Sequence, residues 1–119
     1  MTTPAGPLSL VDRNTMRHTA DMLALLPLPG CRDLSVGLSC LADSPRPTKT
    51  QIDSTLTQAE QVRRTLLAEA TPDRWASEVA EFGEEVVADL ISTRQAQAAQ
   101  VAAMQTLLTG VTRPVRLSH

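Results

Sequence analysis

The stretch CRDLSVGLSCLAD, Cys31 to Asp43, decides the fold class of this chain. Leu34, Val36, Leu38 and Cys40 alternate with Ser35, Gly37 and Ser39, which is the period of a strand. Cys31, Leu34, Leu38 and Leu41 also recur at the three- and four-residue steps of a helix. Gly37 weakens either element by about 1 kcal/mol or less. A lone strand leaves its backbone donors and acceptors unpaired, and no other segment of the chain has a strand period. The expected element is therefore a short helix; the alternative is an edge strand that pairs with a partner protein.

The segments on either side are helical. Upstream, "PLPG" (Pro27 to Gly30) ends a helix expected over residues 9–26. Ser9 followed by Asp12 is its capping signature. Its expected stripe is Val11, Thr15, His18, Met22 and Leu25, widened by Met16, Ala20 and Leu23. Downstream, "SPRP" (Ser44 to Pro47) closes the opening stretch, and Thr48 with Gln51 forms a capping box for a helix over 49–70. Ile52, Leu56, Ala59, Leu66, Leu67 and Ala70 form its stripe, with Val62 at the edge and Arg63 in the middle of the face, able to reach Glu84.

Thr71-Pro72 is an N-cap followed by proline at the first helical position. No breaker is read before Gly110, with Pro114 beyond as a further stop, so one long helix is expected over 72–109, roughly 57 Å in length. Trp75, Val79, Phe82, Val86, Leu90, Val101, Met104 and Leu108 form its stripe. The two C-terminal helices, joined by a short turn, should make an antiparallel hairpin. The shorter arm, about 33 Å, covers only the first half of the longer one, to about residue 93. Val101, Met104, Leu107 and Leu108 then need another cover, either the N-terminal third of this chain or another chain. The architecture expected is a single all-α domain, an irregular four-helix bundle, with loose ends at residues 1–8 and 110–119.

Composition excludes several function classes. The 119 residues are 42% hydrophobic and 20% charged, a globular balance. Aromatic residues make up only 2% and net charge is −2, which argues against the basic, aromatic surfaces that bind nucleic acid. No apolar run approaches the ~18 residues of a membrane span, and the N-terminus lacks a basic signal region. The expectation is a cytoplasmic protein without membrane insertion, with leaderless export as the alternative.

Cys31 and Cys40 would lie ~13.5 Å apart in a helix or ~30 Å apart in a strand, too far for a disulfide, which needs Cα atoms within about 7 Å. They are read as small buried apolar residues. His18 is the only internal histidine and is read as half-buried and structural. One histidine with Asp21 nearby is short of a metal site. Glycine-rich phosphate loops and hydrolase or zinc-protease motifs are missing, so no enzyme and no cofactor is expected.

Thr93 and Gln97 interrupt the long stripe, at the point where the shorter helix should end and water reach it. Gly83 lies on the apolar arc and is read either as a close helix approach or as tolerated drift. A helix, a proline turn and a longer helix, from Gln51 to Gly110 with "ATPDRWASEVAEF" and "DLISTRQAQAAQ", is similar in layout to the needle and inner-rod subunits of bacterial type III secretion systems. That resemblance implies a self-assembling subunit of a rod, needle or phage-type structure.

The leading expectation is a non-catalytic adapter, chaperone-like or regulatory module. It would bind another protein, or itself, through Gly83, Val101, Met104, Leu107 and Leu108 of the long helix and Leu34, Leu38 and Leu41 of the short one. A small enzyme or ligand-binding bundle using His18 and a cysteine is the third reading.

Overall fold

The computed structural model describes residues 8–44 and 46–112, and every regular element in them is helical. The elements are α1 (Leu10–Ala24), α2 (Cys31–Asp43), α3 (Lys49–Glu69), a 3-10 turn (Pro72–Trp75), α4 (Ala76–Phe82) and α5 (Glu84–Thr112). Leu8 is buried, and the last helix runs past Gly110 to Thr112, so both ends are ordered further than expected. The remainder of the expected loose ends, residues 1–7 and 113–119, lies outside the described residues.

Residues 31–43 are a helix. Gly30, at φ +82°, supplies the left-handed residue that turns the chain into it. Cys31, Leu34, Leu38 and Leu41 are all buried, while Val36 faces solvent, so the three- and four-residue spacing prevails over the alternation. Cys40, expected to be buried, is exposed because it falls on the same outer face.

α2 runs antiparallel to α1. The Ser35 hydroxyl donates to the Ala20 carbonyl at 2.7 Å near one end, and Arg13 Nη1 donates to the Ala42 carbonyl at 2.9 Å near the other. Arg13 thereby satisfies one of the carbonyls that a helix C-terminus leaves unpaired.

The buried face of α1 is Met16, Thr19, Ala20 and Leu23. The widening residues Met16, Ala20 and Leu23 are buried as expected, but the centre of the expected stripe is rotated away: Val11 and Leu25 are 72% and 84% exposed, and Thr15 and His18 face solvent. Counting Thr15 and His18 as apolar positions moved the reading around the helix. Ser9 does cap α1, accepting the Asp12 backbone N–H at 3.0 Å.

α3 begins at the capping box: Thr48 Oγ1 accepts the Gln51 N–H at 3.1 Å, and Gln51 Oε1 accepts the Thr48 N–H at 2.8 Å. Its buried residues are Ile52, Thr55, Ala59, Val62 and Leu66, so Val62 is central and Leu67 is exposed. Gly37 has a role that its sequence context did not signal. A Cβ there would lie 3.1 Å from Gln58 Oε1 and 3.5 Å from Thr55 Oγ1, so the glycine lets α2 approach α3 closely.

The largest departure is in the long helix. Gly83 breaks it, at φ +93° and ψ 160°, a backbone region that only glycine occupies readily. The hairpin therefore forms in a different register. α3 packs on the second half of α5, with Glu60 and Arg63 beside Ala102, Gln105 and Thr106. Ala98, Val101, Met104 and Leu108 join the core made by α1, α2 and α3. Arg63 lies far from the start of α5 and pairs with Glu60 on its own helix, Nε to Oε1 at 2.8 Å, instead of with Glu84.

The chain thus covers Val101, Met104 and Leu108 itself, chiefly with α3, which was expected on the other half of the long helix, and in smaller part with α1. Each fully buried side chain of this size contributes roughly 1.5–3 kcal/mol. The buried threonine hydroxyls are also met: Thr55 donates to the Gln51 carbonyl at 2.9 Å, and Thr19 accepts from Gln100 Nε2 at 3.2 Å, which links α1 to α5.

Candidate interaction surface

Leu10, Val11, Leu25 and Val36 are exposed in the N-terminal third; within the C-terminal helical region, what the bundle leaves uncovered is the stretch on either side of Gly83. Between Ala70 and Ala98, Val87 is the one buried side chain. Among the described residues, α4 packs only on α5 and on the 3-10 turn, and touches none of α1, α2 and α3. Residues 71–95 therefore form an arm that extends beyond the core, on a molecule 59 Å long and 31 by 21 Å across.

Local chemistry holds the arm's root. The Trp75 indole N–H donates to the Glu69 carbonyl at the end of α3. The Arg74 guanidinium sits over the Trp75 ring, 4.8 Å from its centroid. Arg74 Nε also meets Glu69 Oε2 at 3.0 Å, and its Nη1 lies 3.8 Å from Glu78 Oε1. At the far end Gly83 closes α4 and opens α5. Its N–H donates to the Val79 carbonyl at 2.9 Å, and its own carbonyl accepts the Val87 N–H at 3.3 Å. A Cβ at Gly83 would meet nothing within 4 Å, so this glycine is a backbone break and makes no close helix contact.

Phe82 and Val86 flank that break, 55% and 47% exposed, and Leu67 lies in the last turn of α3, 42% exposed. Of the positions expected to bind a partner, Val101, Met104, Leu108, Leu34, Leu38 and Leu41 are buried inside the chain, and Leu107 is half-buried against the same core. Gly83 alone lies on the exposed arm. Phe82 and Val86 did belong to the expected stripe, and the only sequence signal that they face solvent is the glycine between them.

The remaining chemistry-bearing residues do not converge. His18 is exposed on α1, and no group of three or more metal-capable side chains exists among the described residues. A polar groove between α3 and α5 is lined by Glu60, Arg63, Gln105, Thr106 and Thr109. Its two charged residues satisfy each other, and the Arg63 guanidinium holds the Glu60 carboxyl below its ordinary value. Arg94 donates to Gln97 Oε1 at 2.8 Å, while its buried Nε has no partner among the described residues. Thr93 is exposed, beyond the end of α3, and donates to the Asp89 carbonyl. No helix of the described residues is long and apolar enough to cross a membrane.

Burial pushes the Cys31 thiol above the ordinary value of 9.0, against the opposing charge of Arg94. A thiol reagent is therefore expected to modify the exposed Cys40 at once and Cys31 only as the fold opens, with one equivalent taken up fast and one slowly. The native state holds the Cys31 proton more tightly than the unfolded chain does. This contribution to stability is therefore complete below pH 9.0 and lost as pH rises through the raised value. Two equally fast cysteines would contradict the buried placement of Cys31. Protein-family models, curated proteins and solved structures were all compared with the chain, and none matches it.

Proposed function

We propose that the chain is a non-catalytic helical interaction module that engages another protein through the arm of residues 71–95, with Phe82 and Val86 as its apolar anchors. The observation that carries this reading is the contrast between the two halves of the C-terminal helical region. The half with Val101, Met104 and Leu108 is fully covered by the chain itself. The half at Gly83 leaves two large apolar side chains in solvent, Phe82 at the end of α4 and Val86 in the first turn of α5. Phenylalanine is enriched in the cores of protein interfaces, and the neighbouring valine adds apolar area to it.

The test is a photo-crosslinking side chain at position 82, in cells that express the chain from its own locus, compared with the same group at exposed Thr57 on α3. A discrete adduct from position 82, lost when Val86 is replaced by serine and missing from position 57, is the expected result. Equal labelling from the two positions, or none from position 82, overturns the proposal.

A further inference from the structure

The charges around Phe82 and Val86 identify the kind of partner the arm fits. Between Glu69 and Asp89 the chain carries seven acidic side chains and a single basic one, Arg74. Arg74 is held by Glu69 and Glu78 at the root of the arm. Asp73, Glu81, Glu84, Glu85 and Asp89 are exposed and form no ion pair among the described residues.

Helix stability accounts for only part of this arrangement. Glu84 and Glu85 suit the positive end of α5. Glu81 stands in the last turn of α4, where the helix dipole disfavours an anion. Glu85 and Asp89 are like charges four residues apart on one helix, an arrangement that weakens it. The isolated fold therefore carries concentrated negative charge around an exposed apolar pair, and a partner bearing the opposite charge relieves that repulsion on contact.

We infer that the partner of this surface is a lysine- or arginine-rich amphipathic segment of another protein, its apolar face on Phe82 and Val86 and its cations among Glu81, Glu84, Glu85 and Asp89. The inference rests on the interaction reading above and adds the chemistry of the partner. The open space at Gly83, where a Cβ would meet no atom within 4 Å, leaves the backbone at the break accessible to such a segment.

Trp75 is the only tryptophan of the chain and sits on the arm, so its emission reports binding directly. The experiment titrates the full chain with three tryptophan-free amphipathic peptides sharing one leucine face and bearing lysine, glutamine or glutamate on the other. Calorimetry gives each affinity. The lysine peptide is expected to bind about ten-fold or more tighter than the glutamine peptide at about 50 mM salt, with the gap closing at about 500 mM as charges are screened.

Glu81→Gln/Glu84→Gln/Glu85→Gln/Asp89→Asn should bring the lysine peptide down to the level of the glutamine peptide. Phe82→Ser/Val86→Ser should weaken both. Lysine and glutamine peptides that bind equally, both sensitive to Phe82→Ser/Val86→Ser, overturn the charge inference and leave the interaction reading standing. Binding that ignores Phe82→Ser/Val86→Ser overturns both. A tighter glutamate peptide overturns the charge inference. So do wild-type dimers, seen by sedimentation, that Phe82→Ser dissolves irrespective of salt, because the occupant is then a second copy of the chain.

Discussion

Replacing Met104 by alanine is expected to lower the stability of the chain by about 2–5 kcal/mol, read from the urea midpoint. Met104 is 1% exposed and lies with Val101 and Leu108 in the core shared by α1, α2, α3 and α5. Truncation removes apolar contacts and opens a cavity that the surrounding helices fill only in part. Small domains have about 5–15 kcal/mol to lose in total, so the variant sits near the edge of folding. Were this face instead open to a separate partner, the same change would move stability by no more than about 0.5 kcal/mol. One denaturation curve therefore separates a bundle closed by the chain's own helices from one that needs another chain. Phe82→Ser, at a 55% exposed position, is the matching control and should leave the midpoint nearly unchanged.

Replacing Gly83 by valine is expected to cost about 1–3 kcal/mol, because no branched side chain tolerates φ +93° with ψ 160°. Steric room is not the obstacle, since the site is open in space. The chain escapes the strain by returning residue 83 to helical angles, which joins α4 to α5 and forces the connection with α3 to adjust. Amide exchange should then show new protection at residues 82–86 and lost protection in the turn at Pro72–Trp75. An unchanged exchange pattern with unchanged stability would mean that the break is not set by the glycine backbone.

The helical character of every element was legible because it rests on local chemistry. Ser9 and Thr48 accept backbone N–H groups that a helix start leaves unpaired, and both caps are formed as the spacing requires. The opening stretch was decidable because an unpaired strand has nowhere to place its hydrogen bonds in a chain without a second strand. Faces were harder. The α1 stripe was misplaced, and Val62 was put at an edge, because the apolar residues of both helices span more than one face and only the neighbouring helix selects the buried one. Gly37 and Gly83 are indistinguishable to propensity, which charges each about the same. One lets α2 settle against α3, and the other ends a helix in open solvent.

The surface proposed for binding shows the same division. That the chain has apolar residues in excess of one hairpin's needs followed from the amino-acid order alone, and so did an all-α architecture with a helix over 49–70, while residues 31–43 stood between a short helix and an edge strand until the packing decided. Which of those residues remain outside was decided by tertiary structure. A single positive φ at Gly83 shifted the register of α3 along α5, buried Val101, Met104 and Leu108, and left Phe82 and Val86 in water. Local sequence sets backbone hydrogen bonding within one turn of helix. The choice of which face to bury depends on summing contacts across helices distant in the chain, and no single segment contains that sum.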